Sequence, residues 1–144
     1  MFKPTKIIIH HSLTKDTGTV SWGAIRTYHM FDLGWSDIGY HLGCEFIKNI
    51  NNEYYEILMG RDWFTPGAHT KGHNHDSLGF CFVGNYDEDI IDDKMLYVGV
   101  KAIKMWFRIF NLSYLDIYKH HDFADYKSCP GNLFPWGKFI EMLK

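Results

Sequence analysis

Lys6-Ile7-Ile8-Ile9-His10-His11 is the stretch on which the fold turns. A short, continuous apolar run without alternation marks a strand buried on both faces, the kind found in helix-covered sheets. The spacing predicts a strand over 6–10 that closes on a histidine pair. In α/β folds, sites gather at the carboxyl ends of such strands, so His10 stands where chemistry is expected. Neighbouring side chains on a strand point to opposite faces. Only one of His10 and His11 can therefore face a given site, and periodicity alone does not choose between them.

The rest of the chain builds outward from this strand. A second apolar strand is expected over 78–83, closed by Gly84-Asn85. A strand over 38–47, with Tyr40, Leu42, Cys44 and Phe46 on one face, turns through 49–53 into a hairpin partner over 54–59. A short strand over 115–119 delivers His120. Ser21 suits the N-cap of a helix reaching about Phe31, with Gly34 at its exit. Acidic residues over 87–93 favour the start of a helix running to about Asn111. Leu96, Val100, Ile103, Phe107 and Phe110 lie at helical spacing on one side of it, and Lys94, Lys101, Lys104 and Arg108 form a solvated face on the other. A closing helix is expected over 134–143. The stretches 14–19 and 60–76 read as loops, and a loop as long as the second is usually functional. Interleaved strands and helices imply an α/β class: one domain with a central mixed sheet flanked by helices.

Composition narrows the function. A chain of 144 residues can bury a core without staples. The formal charge of −2 disfavours nucleic-acid binding through a basic field. Five Trp, nine Tyr and eleven Phe exceed what a core of this size needs, and surplus aromatics often line a ligand groove. Three cysteines without CxxC spacing are not a disulfide framework. Cys44 and Cys81 sit in apolar runs, as small buried hydrophobes do, and free thiols suit a reducing compartment. The start, MFKPTKIII, lacks the apolar region of a signal peptide, and no run is long enough to cross a membrane. Synthesis in the cytoplasm, with no membrane partner, is the expectation.

The far end carries the chemistry: KHHDFADYKSCPG, residues 119–131, brings His120, His121, Lys127 and Cys129 close together in sequence. One histidine from each pair plus Cys129 makes a three-ligand zinc set with one position open for water or substrate. A lone histidine is more often a core residue bonded to a carbonyl. That reading weakens when two strands end in histidines and a cysteine follows. Cys129 could instead be a nucleophile with a histidine base, but Pro130 and Gly131 put it in a tight turn rather than at an activating helix N-terminus. Tyr40 and Lys127 are candidates for stabilising an oxyanion from about 3 Å. Taken singly, each has an ordinary reading, as an amphipathic core tyrosine and a surface lysine.

Five motifs in order, IIIHHS (7–12), GWSDIGYH (34–41), GRDW (60–63), GAHTKGHNHDSLGFCFVGNYD (67–87) and HHDFADYKSCPG (120–131), resemble the zinc-dependent N-acetylmuramoyl-L-alanine amidases of type 2. That family takes in amidase-type phage lysozymes and peptidoglycan recognition proteins. The resemblance covers nearly the whole chain and implies an amidase fold and a single catalytic domain over 1–144 without a separate wall-binding domain. It implies one zinc ion held by His10, His120 and Cys129, with Tyr40 and Lys127 assisting catalysis. His69 matches a motif histidine near the substrate cleft, and Asn74 a loop residue that is structural or substrate-orienting. Trp35, Trp63 and Phe64 are candidates for contacting sugar or peptide, with packing as the other role. The segment from His120 to Cys129 is one residue longer than in many phage members, and a register with the shorter spacing would make His121 the ligand. Alignment of Asp122-Phe123 favours His120.

The implied activity is hydrolysis of the bond between N-acetylmuramic acid and L-alanine in peptidoglycan, by a monomer. An endolysin made in the cytoplasm and released through a holin-type pore fits this, as does a cytoplasmic wall-recycling amidase. The alternative is a non-catalytic recognition or regulatory module on the same fold. Binding-only members tend to lack a ligand, typically the cysteine, so the presence of Cys129 and Tyr40 favours catalysis.

Overall fold

The computed structural model describes residues 1–13 and 21–144, so the loop expected over 14–19 and the side chain of Ser21 lie outside what is described. Five strands, β1 (Lys6–His11), β2 (Leu42–Lys48), β3 (Glu53–Met59), β4 (Ser77–Phe82) and β5 (Ile117–Lys119), form one sheet in the order β3-β2-β4-β1-β5. Only the β2–β3 hairpin is antiparallel; β1 runs parallel to β4 and β5, and β2 parallel to β4. The sheet is mixed, as expected, and β1 lies between two parallel neighbours. That position explains why its apolar run does not alternate: Ile7, Ile8 and Ile9 are all fully buried.

Two helices, α2 (Asp93–Phe110) and α3 (Trp136–Leu143), cover one face, where Ile7, Ile9, Leu42, Phe80 and Phe82 meet Leu96, Val100, Ile103 and Phe139 in the main core. A shorter helix, α1 (Ser21–Thr27), continues into a wider π-helical turn, Tyr28–Asp32, and covers the other face. There Trp22 lies flat on β2 at Gly43, where an added Cβ would come within 2.2 Å of the indole. The backbone N–H of Trp22 donates to a carboxyl oxygen of the buried Glu45 at 2.9 Å, which satisfies one of the open N–H groups at the start of α1.

The ends of α2 follow from local chemistry. Asp92 caps the start by accepting from the Lys94 N–H, and Asn111 takes the left-handed conformation (φ 55°) that ends it. The buried stripe is Met95, Leu96, Gly99, Val100, Ile103 and Trp106. It is rotated from the expected one: Phe107 and Phe110 are half-buried and Trp106 takes the central place. Its indole meets Phe80 and Trp63 edge-on at 6.1 and 5.8 Å.

One expected strand is corrected. Pairing begins at Leu42, not at Ile38, and Tyr40 does not share a face with Leu42 and Cys44. The loop 60–68 takes the backbone groups a strand would need: Ala68 N–H donates to Gly39 O, Arg61 N–H to Tyr40 O and Gly60 N–H to His41 O. The Arg61 guanidinium staples the carbonyls of Asp37, Ile38 and Pro66 together. Gly39 is required here, since a Cβ would come within 2.2 Å of Ala68 O. The irregular crossing carries Ile38 and Tyr40 to the face holding Trp22, Cys81 and Val83.

His41 joins this loop to the sheet. Its Nδ1 accepts from Gly79 N–H at 3.0 Å and its Nε2–H donates to Thr65 O at 2.9 Å, with no solvent exposure. Burial holds its pKa down to about 4. Protonating Nδ1 would cost the Gly79 bond. Because the folded pKa lies below the unfolded one, the unfolded chain binds more protons between these values. Stability present at neutral pH is therefore lost as pH falls from about 6.5 towards about 4, to a full extent of about 3 kcal/mol from this ring. Urea unfolding at pH 7 and pH 4.5 should show a smaller acid loss for His41→Gln than for the parent.

Candidate active site

The site is built at the carboxyl ends of β1 and β5. Alternation along β1 splits the first histidine pair. His11 goes to the helix-covered face, where its Nδ1 accepts from Tyr86 N–H at 3.1 Å. His10 goes to the other face. The second pair is split by a 3-10 turn, His120–Asp122. His120 is buried, whereas His121 is exposed, its Nδ1–H donating to Lys127 O at 2.6 Å and its N–H to Cys129 O. One ligand atom each from His10, His120 and Cys129 lie within 4.8 Å of one another, and all three residues are buried. His120 rather than His121 thus joins the cluster. The Cys129 Sγ lies 3.8 Å from His10 Nδ1 and accepts from His11 N–H at 3.3 Å.

Because Nδ1 of His10 faces the sulfur, its Nε2 points away, 2.9 Å from His69 Nδ1. The chain continues through His69 Nε2 to Ser77 Oγ at 3.4 Å, and the Ser77 hydroxyl donates to His73 O. With the Ser77 proton committed to His73 O, Nε2–H on both rings satisfies the chain and leaves a lone pair on Nδ1 of His10; the Thr70 hydroxyl joins the same network, 3.0 Å from His69 Nδ1 and 3.4 Å from His10 Nε2. His69 lies against Gly79, where a Cβ would come within 2.6 Å of the imidazole. Asn74 holds the His69 turn from behind: its Oδ1 accepts from the N–H groups of His69 and Thr70 at 2.8 and 2.9 Å.

The cysteine loop is clasped from the far side of the sheet's edge. Asp87 accepts from the Ser128 hydroxyl at 2.6 Å and from Asn132 N–H at 2.8 Å, one oxygen on each side of Cys129. Leu133 N–H donates to Tyr86 O. Gly131 (φ +120°) passes so close to Tyr86 that a Cβ would come within 2.4 Å of its backbone.

These groups border a cavity of about 410 Å³. His10, His120 and Cys129 line it, together with Tyr40, His69, Lys127 and Trp35 from the expected site. Two expected residues lie elsewhere. Asn74 acts on the loop backbone, and Trp63 packs against Trp106 in the helix-side core. Phe64 leans on Phe110. Asp87, which holds the cysteine loop, and His29, which lines the cavity, were not singled out by the sequence pattern. His29 accepts from Gly39 N–H at 3.0 Å and its ring lies 4.6 Å from Trp35. The GNYD end of the fourth motif was the available signal for Asp87; nothing in the helix pattern marked His29.

The electrostatics suit a cation-binding donor set. Burial, followed by the neighbouring His69, holds His10 well below the usual histidine range. Burial and then Lys127 hold His120 at about 4. Both rings are therefore neutral lone-pair donors at pH 7. Burial pushes the Cys129 thiol up to about 12, partly offset by the His11 N–H and Lys127. Burial, then Cys81 and Cys129, keeps the Tyr40 phenol protonated well above its usual range, as a hydrogen-bond donor. Two imidazoles and a thiol converging beside an open cavity could hold a metal ion.

The fit of His69 against Gly79 is testable. Gly79→Ala should displace the ring and destabilise the fold by about 1–3 kcal/mol. In a His69→Ala background the same change should cost little, so a double-mutant cycle by urea unfolding should return a large coupling.

Comparison with known proteins agrees with this geometry. A family model described as N-acetylmuramoyl-L-alanine amidase matches residues 2–132. The endolysin of Escherichia phage T7 is 39% identical over 82 residues, 57% of this chain and 49% of that protein. The endolysin of Enterobacteria phage T3 is 38% identical over 91 residues, 60% of this chain and 55% of its own length. The chain thus spans about half the length of these phage endolysins. Peptidoglycan-recognition protein SC1a of Drosophila melanogaster is 31% identical over 129 residues, 86% of this chain and 66% of that protein. Among solved structures, N-acetylmuramoyl-L-alanine amidase LysC from Clostridium intestinale superposes with a TM-score of 0.82 at 25% identity, covering 99% of this chain and 86% of its own. With a match that takes in the sheet, the histidine pairs and the cysteine loop, this chain belongs to the N-acetylmuramoyl-L-alanine amidase family.

Proposed function

We propose that this chain hydrolyses the amide bond between N-acetylmuramic acid and L-alanine in peptidoglycan, with one zinc ion held by His10, His120 and Cys129, and that residues 1–144 are an amidase catalytic domain. The observation that carries the reading is the convergence of these three donors within 4.8 Å on a cavity that Tyr40 and Lys127 also line. Bound there, zinc would supply Lewis acidity towards the scissile carbonyl and lower the pKa of a water.

The chain's own residues do the rest. Tyr40 offers a neutral O–H, kept protonated by burial, to the carbonyl oxygen as negative charge develops on it. Lys127 brings a cationic side chain to the same cavity from its exposed loop. His69 fixes the rotation of His10, so that Nδ1 stays aimed at the donor cluster. Trp35, on the rim, offers a ring face for the sugar or the peptide.

The match to phage endolysins supports a lytic role, with the protein reaching the wall through a holin-type pore. No helix among the described residues is long and apolar enough to cross a membrane. The likeness to peptidoglycan-recognition proteins keeps a binding-only module as the competing reading. A complete donor set, with Cys129 and Tyr40 in place, favours hydrolysis.

Zinc-loaded protein incubated with purified peptidoglycan should release stem peptides with a new L-alanine amino terminus and no new reducing ends, read by mass spectrometry. Tyr40→Phe should lower the rate by about 100-fold with zinc affinity unchanged. Intact glycan-peptide after long incubation, with zinc bound, would establish the recognition module instead. Zinc binding should also report the state of its ligands. With both histidines already neutral and the thiol protonated, binding at pH 6, below the pKa of about 7 expected for a zinc-bound water, should release about one proton, measured by calorimetry in buffers of different ionisation enthalpy. Cys129→Ser should bring that release close to zero and weaken binding.

A further inference from the structure

A second cavity of about 410 Å³ opens on the other side of the cysteine loop. Tyr126, Lys127 and Ser128 line both cavities, so the two meet along this short piece of backbone. Lys119, His121, Asp125 and Trp136 lie on the far wall. Lys119 places its ammonium over the Trp136 ring, 5.2 Å from the centroid. That contact orders the long side chain before any ligand arrives and lowers the entropy lost on binding. Among the described residues, neither Lys119 nor Lys127 has a carboxylate within 4.0 Å, and Asp125 is the one acidic residue in the lining. The wall is therefore net cationic, and neither ammonium is neutralised by a carboxylate among the described residues.

We infer that this second cavity is a carboxylate-binding arm of the substrate cleft, in which Lys119, held on Trp136, takes an acidic group of the peptide that leads away from the cleaved bond. The inference rests on the amidase reading and extends it to the substrate's distal end. A peptide leaving the catalytic cavity over Tyr126 enters this arm directly, because the same three residues border both. Charge selects a carboxylate over a neutral segment, and Pro130 and Phe134 supply apolar floor beside it.

The test uses the full chain, labelled with ¹⁵N, and the free stem tetrapeptide, which is a product and is not consumed. Its probes are that tetrapeptide, the same peptide with its carboxylates amidated, and inorganic phosphate. The tetrapeptide should shift the Trp136 indole and the amides of Lys119 and Asn132. The amidated peptide should bind at least about threefold more weakly, as expected for an exposed ion pair. Lys119→Gln should abolish the response at Trp136, and Asp125→Asn should strengthen it. With a muramyl tetrapeptide as substrate, Lys119→Gln should raise KM by about threefold with kcat unchanged. With N-acetylmuramoyl-L-alanine, which lacks the distal peptide, it should change neither. Equal binding of the amidated peptide, equal shifts with phosphate, or shifts confined to the catalytic cavity would overturn the inference. A parent protein that cleaves neither substrate would remove the amidase reading, while the shifts would still decide whether the arm binds carboxylate.

Discussion

Everything at the active site depends on the burial of β1 between two parallel strands. Ile7 and Ile9 fill the core under α2 and α3, and a strand's period of two then forces His10 to the opposite face and His11 to theirs. A register slip of one residue would carry either Lys6 or His10 into a fully buried isoleucine place and turn His10 to the helix face. The cost of burying that polar group among apolar side chains fixes the register, and with it the position of His10. His10 is in turn the group around which the rest is arranged: His69 behind it, His120 and Cys129 beside it, Tyr40 against its ring.

The second level of organisation is polar. Cys129 lies in a loop with no regular structure, yet its sulfur must reach within a few ångströms of a ring carried by a distant strand. Three sets of bonds hold it there. Asp87 grips the loop on both sides, His11 N–H donates to the sulfur, and Cys129 O accepts from His121 N–H. The last bond also turns His121 outward and leaves His120 to face in. The loop that supplies the cysteine therefore selects which member of the second histidine pair joins the cluster. Between His120 and Cys129 the chain makes a turn at 124–127, where Lys127 N–H donates to Ala124 O.

Legibility followed the range of the forces involved. β1, the β2–β3 hairpin, β4 and α2 could be read because burial imposes a period on neighbouring residues. The donor set needed motif order, because His10, His120 and Cys129 come from separate segments and no local period relates them. Tyr40 lines the cavity beside the donor cluster, but the strand pattern put it on the wrong face. The loop backbone at 60–68, distant in sequence, ends the ladder at Leu42. Trp63 resembled a groove aromatic, but its environment depends on Trp106, a contact made across the whole fold. Asn74 and Asp87 act on backbone N–H groups, and side chains that work in this way leave no hydrophobic signature to read. The rotated stripe of α2 has a similar cause, since the bulk of Trp106 settles which arc of the helix's wide apolar side turns inward.

Burial explains why these residues form a site. In water the same histidines would be partly charged at pH 6 and would repel a cation. Buried, His10 and His120 stay neutral well below that pH, and Tyr40 stays protonated well above it. The same burial opposes a bare thiolate at Cys129. The cluster therefore has one group, the thiol, whose ionised form is unfavourable until a cation arrives, and two groups already in the form a cation needs. That asymmetry ties deprotonation of the sulfur to occupancy of the site. Lys127, exposed at the cavity's edge, can add positive charge near the substrate without itself being desolvated. A buried lysine in its place would compete with any cation for the same donors, and the solvent-facing loop keeps Lys127 at the cavity's edge, apart from the buried cluster.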